Sequence, residues 1–258
     1  MTGELERRCD LLRSLHVPGD PLVLPNAWDA ASARAVVAAG LPAVATTSGG
    51  VAAALGYEDH EGAPADEMLA AAARIARSVE VPVSVDAEAG YGLEPAALVA
   101  ALERAGAAGC NLEDTDHAAG TLRDPAEHAA WLREVRAAAA AADYGLVINA
   151  RIDVFLAGEA PQRDLVPEAL GRAHAYLDAG ADCVFPIVLR EADALAAFMA
   201  EAPGPVSVLA MPRAPSLEEL AELGVARVSY GTLLHRQSLE QLASSLASIA
   251  AFRPRRLG

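Results

Sequence analysis

The sequence predicts a (β/α)8 TIM barrel of α/β class, formed by residues 1–258 as a single domain. Three observations predict it. The chain has 258 residues, long for an average domain but ordinary for a closed α/β barrel. Eight short apolar runs of β type alternate with segments of helical periodicity. Four near-repeats end a helix on glycine and enter a buried strand: Ala38-Ala39-Gly40-Leu41-Pro42-Ala43-Val44, Ala105-Gly106-Ala107-Ala108-Gly109-Cys110, Ala179-Gly180-Ala181-Asp182-Cys183-Val184 and Leu223-Gly224-Val225-Ala226-Arg227-Val228. Glycine there supplies the left-handed C-cap, and the apolar run that follows suits a strand buried on both faces.

In chain order, Leu22–Leu24 reads as the first strand and Asp29–Ala39 as the helix after it. Ala43–Thr46 is the second strand, followed by a helix over Asp66–Ser78. Val83–Asp86 leads to Pro95–Ala105, and Cys110–Leu112 to Pro125–Ala142. Leu146–Asn149 leads to a helix predicted over Pro167–Ala179. Cys183–Phe185 and Val206–Leu209 follow, then Leu217–Glu222 as a helix, Arg227–Ser229 as the eighth strand and a last helix that includes His235. Proline in the first turn of three of these segments is a helix-start signal. An open doubly wound sheet would need strands of polar edge character, and none is visible.

The composition narrows the function classes. With 53% hydrophobic residues the chain can bury a large core, yet no uncharged apolar run is long enough to span a membrane. The start, MTGELERRCD, lacks the layout of a secretory signal, which points to the cytoplasm. The net charge of −15 offers no basic stripe for nucleic acid. Cys9, Cys110 and Cys183 are too few and too scattered for a disulfide framework, and Cys110 and Cys183 read as small core residues.

In a barrel the active site lies at the carboxyl ends of the strands, so polar residues there are informative. Thr46-Thr47-Ser48-Gly49-Gly50 follows the second run, Asp86-Ala87-Glu88 the third, Asn111-Leu112-Glu113-Asp114 the fourth and Asn149-Ala150-Arg151-Ile152-Asp153 the fifth. Asp86, Glu88 and Glu113 form an acidic cluster that would repel itself without a counter-charge. A hard divalent cation with oxygen ligands, Mg2+ or Mn2+ in its place, resolves that. The plainer alternative is that one or two of these acids cap helices or pair with arginine. Arg151 suits a carboxylate or phosphonate oxygen pair, or else an ion pair with Glu113 or Asp153. Ser48, Gly49 and Gly50 read as a loop whose backbone N–H groups form an anion nest.

Taken together, these motifs resemble the isocitrate lyase/phosphoenolpyruvate mutase superfamily. The resemblance runs from Leu24-Pro25-Asn26-Ala27-Trp28-Asp29 through Ser229-Tyr230-Gly231. It implies a (β/α)8 barrel, often a dimer or tetramer with the last helix exchanged between subunits. It implies that Asp86 is the main Mg2+ ligand, with Glu88 and Glu113 holding the ion directly or through water. It implies that Thr47, Ser48, Gly49, Gly50 and Asn149 bind a small anionic substrate, that Arg151 contacts its reacting end, and that Asp59 faces the site.

This sequence also departs from the family's patterns. The carbon–carbon lyases carry a cysteine-bearing loop after the fourth strand; here that loop is Thr115 to Asp124 and has no cysteine. The asparagine-bearing loop of the phosphonomutases is absent too. Thr46 stands where several members have an aromatic residue, Phe185-Pro186-Ile187 lacks the lyases' glutamate, and Met211 replaces their asparagine. His117 is the loop's candidate acid/base, unless it is merely solvated; Thr115 or Thr121 could orient a phosphonate. The expected activity is Mg2+-dependent cleavage of a C–C bond in a small 2-oxo acid through a metal-stabilised enolate. P–C bond chemistry is the alternative, and a catalytically silent ligand-binding barrel the third reading. The short tail beyond Ala250 makes exchange of the last helix less expected than in longer relatives, although a homo-oligomer remains the expectation.

Overall fold

The computed structural model describes residues 2–212 and 214–251, and the tail from 252 to 258 lies outside them. All eight predicted strands form, and their paired neighbours are parallel. The first is broken at Pro25, which has no N–H to give a ladder. Its first half, Leu22–Leu24, pairs with the eighth strand, Leu22 opposite Arg227 and Leu24 opposite Ser229. Its second half, Asn26–Ala27, pairs with the second strand, Asn26 opposite Ala45. From there the order runs through Val44–Thr46, Val83–Asp86, Gly109–Glu113, Val147–Ile152 and Cys183–Pro186. A parallel bridge between Val184 and Val206 joins that last strand to the seventh, Ser207–Leu209, which pairs with the eighth, Arg227–Ser229. The two hydrogen-bonded sheets therefore meet at both seams and the strands follow one another round a ring.

Every residue of Val147–Ile152 is buried, as a strand covered on both faces requires. Each such Val or Ile withdraws apolar surface worth about 1.5–3 kcal/mol relative to exposure. The repeat glycines take the left-handed backbone expected of them, with φ of 75° at Gly106 and 100° at Gly180. Asp29 and Ser32 form a capping box, as do Ser216 and Glu219, and Asp124 caps the helix that begins at Pro125.

An additional helix, Thr2–Ser14, closes the amino-terminal mouth. Its Cys9 and Leu12 are fully buried, and Arg13 donates to the Gly145 carbonyl at 2.9 Å. Gly109, at the start of the fourth strand, leaves room for it: a β-carbon there would lie 2.8 Å from Leu12 Cδ2. With one mouth plugged, the opposite mouth is left for chemistry.

Two expectations about helices are corrected. The helix predicted from Pro167 spans Gln162–Asp178, with Pro167 inside it rather than opening it. Pro167 is the sixth helical residue, so its missing N–H leaves the Arg163 carbonyl without the i→i−4 donor that any other residue would supply. The Ser48-Gly49-Gly50 nest is not a loop but the first turn of a helix, Ser48–Leu55, because Val51-Ala52-Ala53-Ala54-Leu55 carries the helix on. The three cysteines are free and buried; burial pushes the Cys110 thiol up to about 12, which leaves no thiolate near neutral pH. Among the described residues no helix is long and apolar enough to cross a membrane.

Candidate active site

The open mouth holds a cavity of about 310 Å³. One wall comes from the carboxyl ends of the second to fifth strands and is charged: Ser48, Asp59, Asp86, Glu88, Glu113 and Arg151 face it. The opposite wall comes from the sixth to eighth strands and is mostly apolar, with Phe185, Ile187, Leu209 and Met211. The divide follows the sequence, since strand-end acids occur only in the first set.

The helix that starts at Ser48 aims its first turn at this wall. The Ser48 N–H donates to Asp86 Oδ2 at 3.0 Å, so a strand-end carboxylate caps the helix in place of the side chain of Thr47. The Asp86 N–H is itself held by Thr46 Oγ1 at 2.8 Å, which gives Thr46 a structural task. Asp59 packs against Gly49: a β-carbon there would stand 2.6 Å from Asp59 Oδ2. Glycine at this position thus lets an acid approach the helix start, and Gly50 faces Trp28 and His235 instead of the cavity.

Two loops are clasped beside the acids. The Glu61 N–H donates to Glu88 Oε1 at 2.6 Å, and the Tyr91 N–H donates to Glu61 Oε1 at 2.5 Å. His60, Glu61, Glu88 and Tyr91 all sit in left-handed backbone, with φ of 66°, 57°, 49° and 57°. Each costs of order 1 kcal/mol for a side chain with a β-carbon, so the surrounding contacts must hold them there. Burial raises Glu88 to about 7; the Glu61 amide opposes this, while the charges of Asp86, Asp59 and Glu113 add to it.

Glu113 and Arg151 face each other in the next register of the sheet. Glu113 Oε2 is ion-paired with Arg151, and its Oε1 is hydrogen-bonded to His117 Nε2 at 2.6 Å. Burial pushes the Glu113 carboxyl upward against the pull of Arg151 and His117, and the hydrogen bond that His117 gives to Glu113 holds its imidazole above the ordinary value. Arg151 also makes a two-pronged pair with Asp153, at 2.6 and 2.9 Å. Asp153 is fixed in turn by the Thr115 hydroxyl at 2.6 Å and, through its N–H, by Asp114 at 2.9 Å. Arg172 and Tyr176 complete the chain by donating to Asp114 Oδ2, at 2.9 and 2.7 Å.

The predicted residues therefore divide. Thr47, Ser48, Asp59, Asp86, Glu88, Glu113 and Arg151 share the cavity. Asn149 does not line it, lying buried with its amide donating to Asn111 Oδ1 at 2.8 Å. His117 lies outside the lining, on the outer oxygen of Glu113. The acids expected to hold a metal, Asp86, Glu88 and Glu113, all line the cavity. Among the described residues no three His, Cys, Asp or Glu groups converge at ligand spacing, because Glu113 is turned to Arg151 and His117 and Glu88 is tied to the Glu61 amide. What remains is Asp86 Oδ1 and Asp59 Oδ1, both buried without a hydrogen-bond donor. Such oxygens are costly unless something positive meets them. Mg2+ takes only one or two carboxylates and completes its shell with water and substrate, so these residues fit it.

The sequence reading missed His60, which lines the cavity and lies against His117, ring centroids 5.4 Å apart. It also missed Asn26, whose Oδ1 accepts from Ser229 Oγ and the Tyr230 N–H while its amide donates to the Thr46 carbonyl, at 3.1, 2.9 and 2.8 Å. A side chain that stitches the first, second and eighth strands leaves no periodic signal; only its strand-end position marks it. The free hydroxyl envisaged for Thr115 is taken by Asp153.

The chain matches the family model for phosphoenolpyruvate phosphomutase over residues 12–250. It is 36% identical over 236 residues to an uncharacterised protein of Mycobacterium tuberculosis strain H37Rv, spanning 92% of this chain and 87% of that one. To "probable 2-methylisocitrate lyase 1" of Corynebacterium glutamicum it is 32% identical over 238 residues, 88% of this chain and 76% of the other. A solved "putative phosphonomutase" from Burkholderia cenocepacia J2315 superposes with a TM-score of 0.90 at 44% identity, covering 93% of this chain and 99% of that one.

Proposed function

The chain belongs to the phosphoenolpyruvate mutase/isocitrate lyase superfamily, a family of enzymes, and from that premise we propose that it cleaves a C–C bond in a small 2-oxo acid or related carboxylate with Mg2+ as cofactor. The observation that carries this reading is Asp86. One of its oxygens is capped by the Ser48 N–H, while the other is buried without a donor in the cavity that Arg151 also faces. A lone carboxylate oxygen and a guanidinium on one wall suit a bidentate anion that needs a cation on each side.

Asp86 and Asp59 would hold the ion, with Glu88 and Glu113 reaching it through water. When bound it supplies a Lewis acid and a template for the substrate's oxygens. The chain's own groups do the rest. Arg151, immobilised by Asp153 and Glu113, presents its remaining N–H groups to the carboxylate. The Gly49 and Gly50 N–H groups, in the first helical turn, add positive potential at that end. As the C–C bond breaks, its electron pair stays with the fragment that keeps the carboxylate, the proton of the departing fragment's hydroxyl passes to the Glu113–His117 pair as that oxygen becomes a carbonyl, and the pair returns a proton to the enolate carbon. His60, whose ring lies 5.4 Å from that of His117, lines the cavity on that side. The cysteine thiols take no part, being buried and protonated.

The test is a panel of oxaloacetate, substituted malates and phosphonopyruvate, each with Mg2+ and followed by product NMR. Carbon–carbon cleavage that Asp86→Asn abolishes is the expected result. Asp86→Asn that binds Mg2+ with unchanged affinity by calorimetry would overturn the metal assignment. The "phosphonomutase" name of the 44%-identical structure favours a second reading, P–C bond chemistry. Phosphate released from phosphonopyruvate, with every C–C substrate inert, would establish that one instead.

A further inference from the structure

Beneath the acidic wall lies a cation with no acid to pair it. Arg227, on the eighth strand, is fully buried inside the ring, and none of its nitrogens forms an ion pair among the described residues. Its Nε and Nη1 have no acceptor. Its Nη2 donates to Asn111 Oδ1 at 3.2 Å and to Ser84 Oγ at 3.3 Å. Burying an uncompensated guanidinium is expensive, so its retention calls for a reason.

The contact with Asn111 supplies one. A guanidinium has donors only, so the Asn111 atom that faces it must be the amide oxygen. The opposite flip would set N–H against N–H. With the oxygen fixed there, Asn149 must offer its own amide nitrogen, and it does so to the same Oδ1 at 2.8 Å. Asn111 thus has its acceptor saturated from below by two donors on the fifth and eighth strands. Its amide nitrogen has no partner among the described residues and is not sealed in the interior, and Asn111 lines the cavity in register with Asp86.

Resting on the proposed function above, we infer that the Asn111 Nδ2–H2 group is a hydrogen-bond donor to the anionic oxygen of the bound substrate, and that Arg227 is the positioning residue that sets its orientation. The ligand class is a planar 2-oxo-acid dianion or its enolate, with an oxygen turned to the floor of the cavity between Asp86 and Arg151. A donor held in place before substrate arrives stabilises developing charge without reorganisation, and losing one such donor typically costs 100-fold or more.

Oxalate, a stable planar dianion, is the probe, titrated calorimetrically with the intact protein and Mg2+. Asn111→Asp keeps the shape but replaces the donor with a charged acceptor. It is expected to weaken oxalate by about 100-fold while Mg2+ still binds in the absence of oxalate. A merely structural loss would take Mg2+ binding with it. Arg227→Met frees the Asn111 amide to flip and is expected to weaken oxalate about tenfold, with Arg227→Lys restoring part of it. If Arg227→Met does not fold, Asn111→Asp decides alone. Oxalate bound equally by wild type and Asn111→Asp overturns the inference and leaves the proposed function standing. Oxalate bound by neither with Mg2+ present overturns the anion-site reading and this inference together.

Discussion

Single residues in this barrel carry opposite pH sensitivities, and the sign of each follows from its surroundings. His128 is buried with both ring nitrogens unpartnered, set against Trp131 and Tyr176 with ring centroids 5.5 and 4.9 Å away. Burial, helped by the nearby Arg123 and Arg172 charges, lowers it to about 3, and burial likewise lowers His16 to about 4. An unfolded histidine titrates near 6.5, so between about pH 6.5 and pH 4 the unfolded chain binds protons that the folded one refuses. Stability therefore falls as the pH drops through that window, by roughly 1.4 kcal/mol for each unit of displacement. Glu88 works the other way. Raised to about 7, its contribution is fully present below the unfolded value of about 4.5 and is lost as the pH rises through 7. His128→Leu should remove part of the acid sensitivity, narrowing the gap between urea midpoints measured near pH 7.5 and pH 5. An unchanged gap would mean that this ring is protonated in the folded state.

At the scale of elements, one carboxylate joins four of them. Asp182, just before the sixth strand, accepts from Arg13 of the amino-terminal helix at 3.0 Å, from Arg136 of the Pro125–Ala141 helix at 2.5 Å and from the Ile148 N–H of the fifth strand at 2.8 Å. Arg136 adds bonds to the Gly180 and Leu146 carbonyls, at 2.9 and 2.7 Å. Asp182→Ala would leave two guanidiniums facing each other and a strand N–H unpaired, so a loss of about 2–4 kcal/mol in urea unfolding is expected. A loss well under 1 kcal/mol would show that the amino-terminal helix is held without this carboxylate, by Cys9, Leu12 and the Arg13–Gly145 hydrogen bond. The strands were legible in the sequence because runs such as Val147–Ile148 bury both faces, and the repeat glycines marked where each strand begins. The charged groups of the candidate site were legible because Asp86, Glu113 and Arg151 are the polar interruptions at the ends of those runs. The Ser48–Leu55 helix was not, since Ser-Gly-Gly favours a loop and its start is capped from a distant strand by Asp86. Arg227 was hidden for a related reason: it enters the ring from within an apolar strand, and only the fold brings its guanidinium beneath Asn111.

For the whole molecule, the last helix raises the question of what covers it. Leu233–Ala250 exposes Leu239, Leu242, Leu246 and Ile249, at 49, 52, 53 and 68% of their surface. Their spacing places them on one stripe of the helix, and no described segment of the chain packs over it. A soluble monomer seldom leaves so many large aliphatic side chains in one contiguous stripe. The net charge of −15 opposes self-association in general, but within this helix only Arg236 and Glu240 are charged, so the stripe itself carries little repulsion. We propose that a second copy of the chain covers it, as a dimer or as part of a tetramer. Pairing two such stripes would remove apolar surface on both copies, each leucine contributing about 1 kcal/mol from its exposed half. Leu242→Glu with Leu246→Glu places charge at the centre of the stripe on side chains that already face solvent, so folding should be spared. Sedimentation velocity should then show wild type as an oligomer and the double variant as a monomer, with unchanged far-ultraviolet circular dichroism. Because Tyr230, Thr232 and Leu233 at the head of this helix line the cavity, the monomer should also bind oxalate more weakly. A wild-type chain that sediments as a monomer at tens of micromolar would refute the proposal.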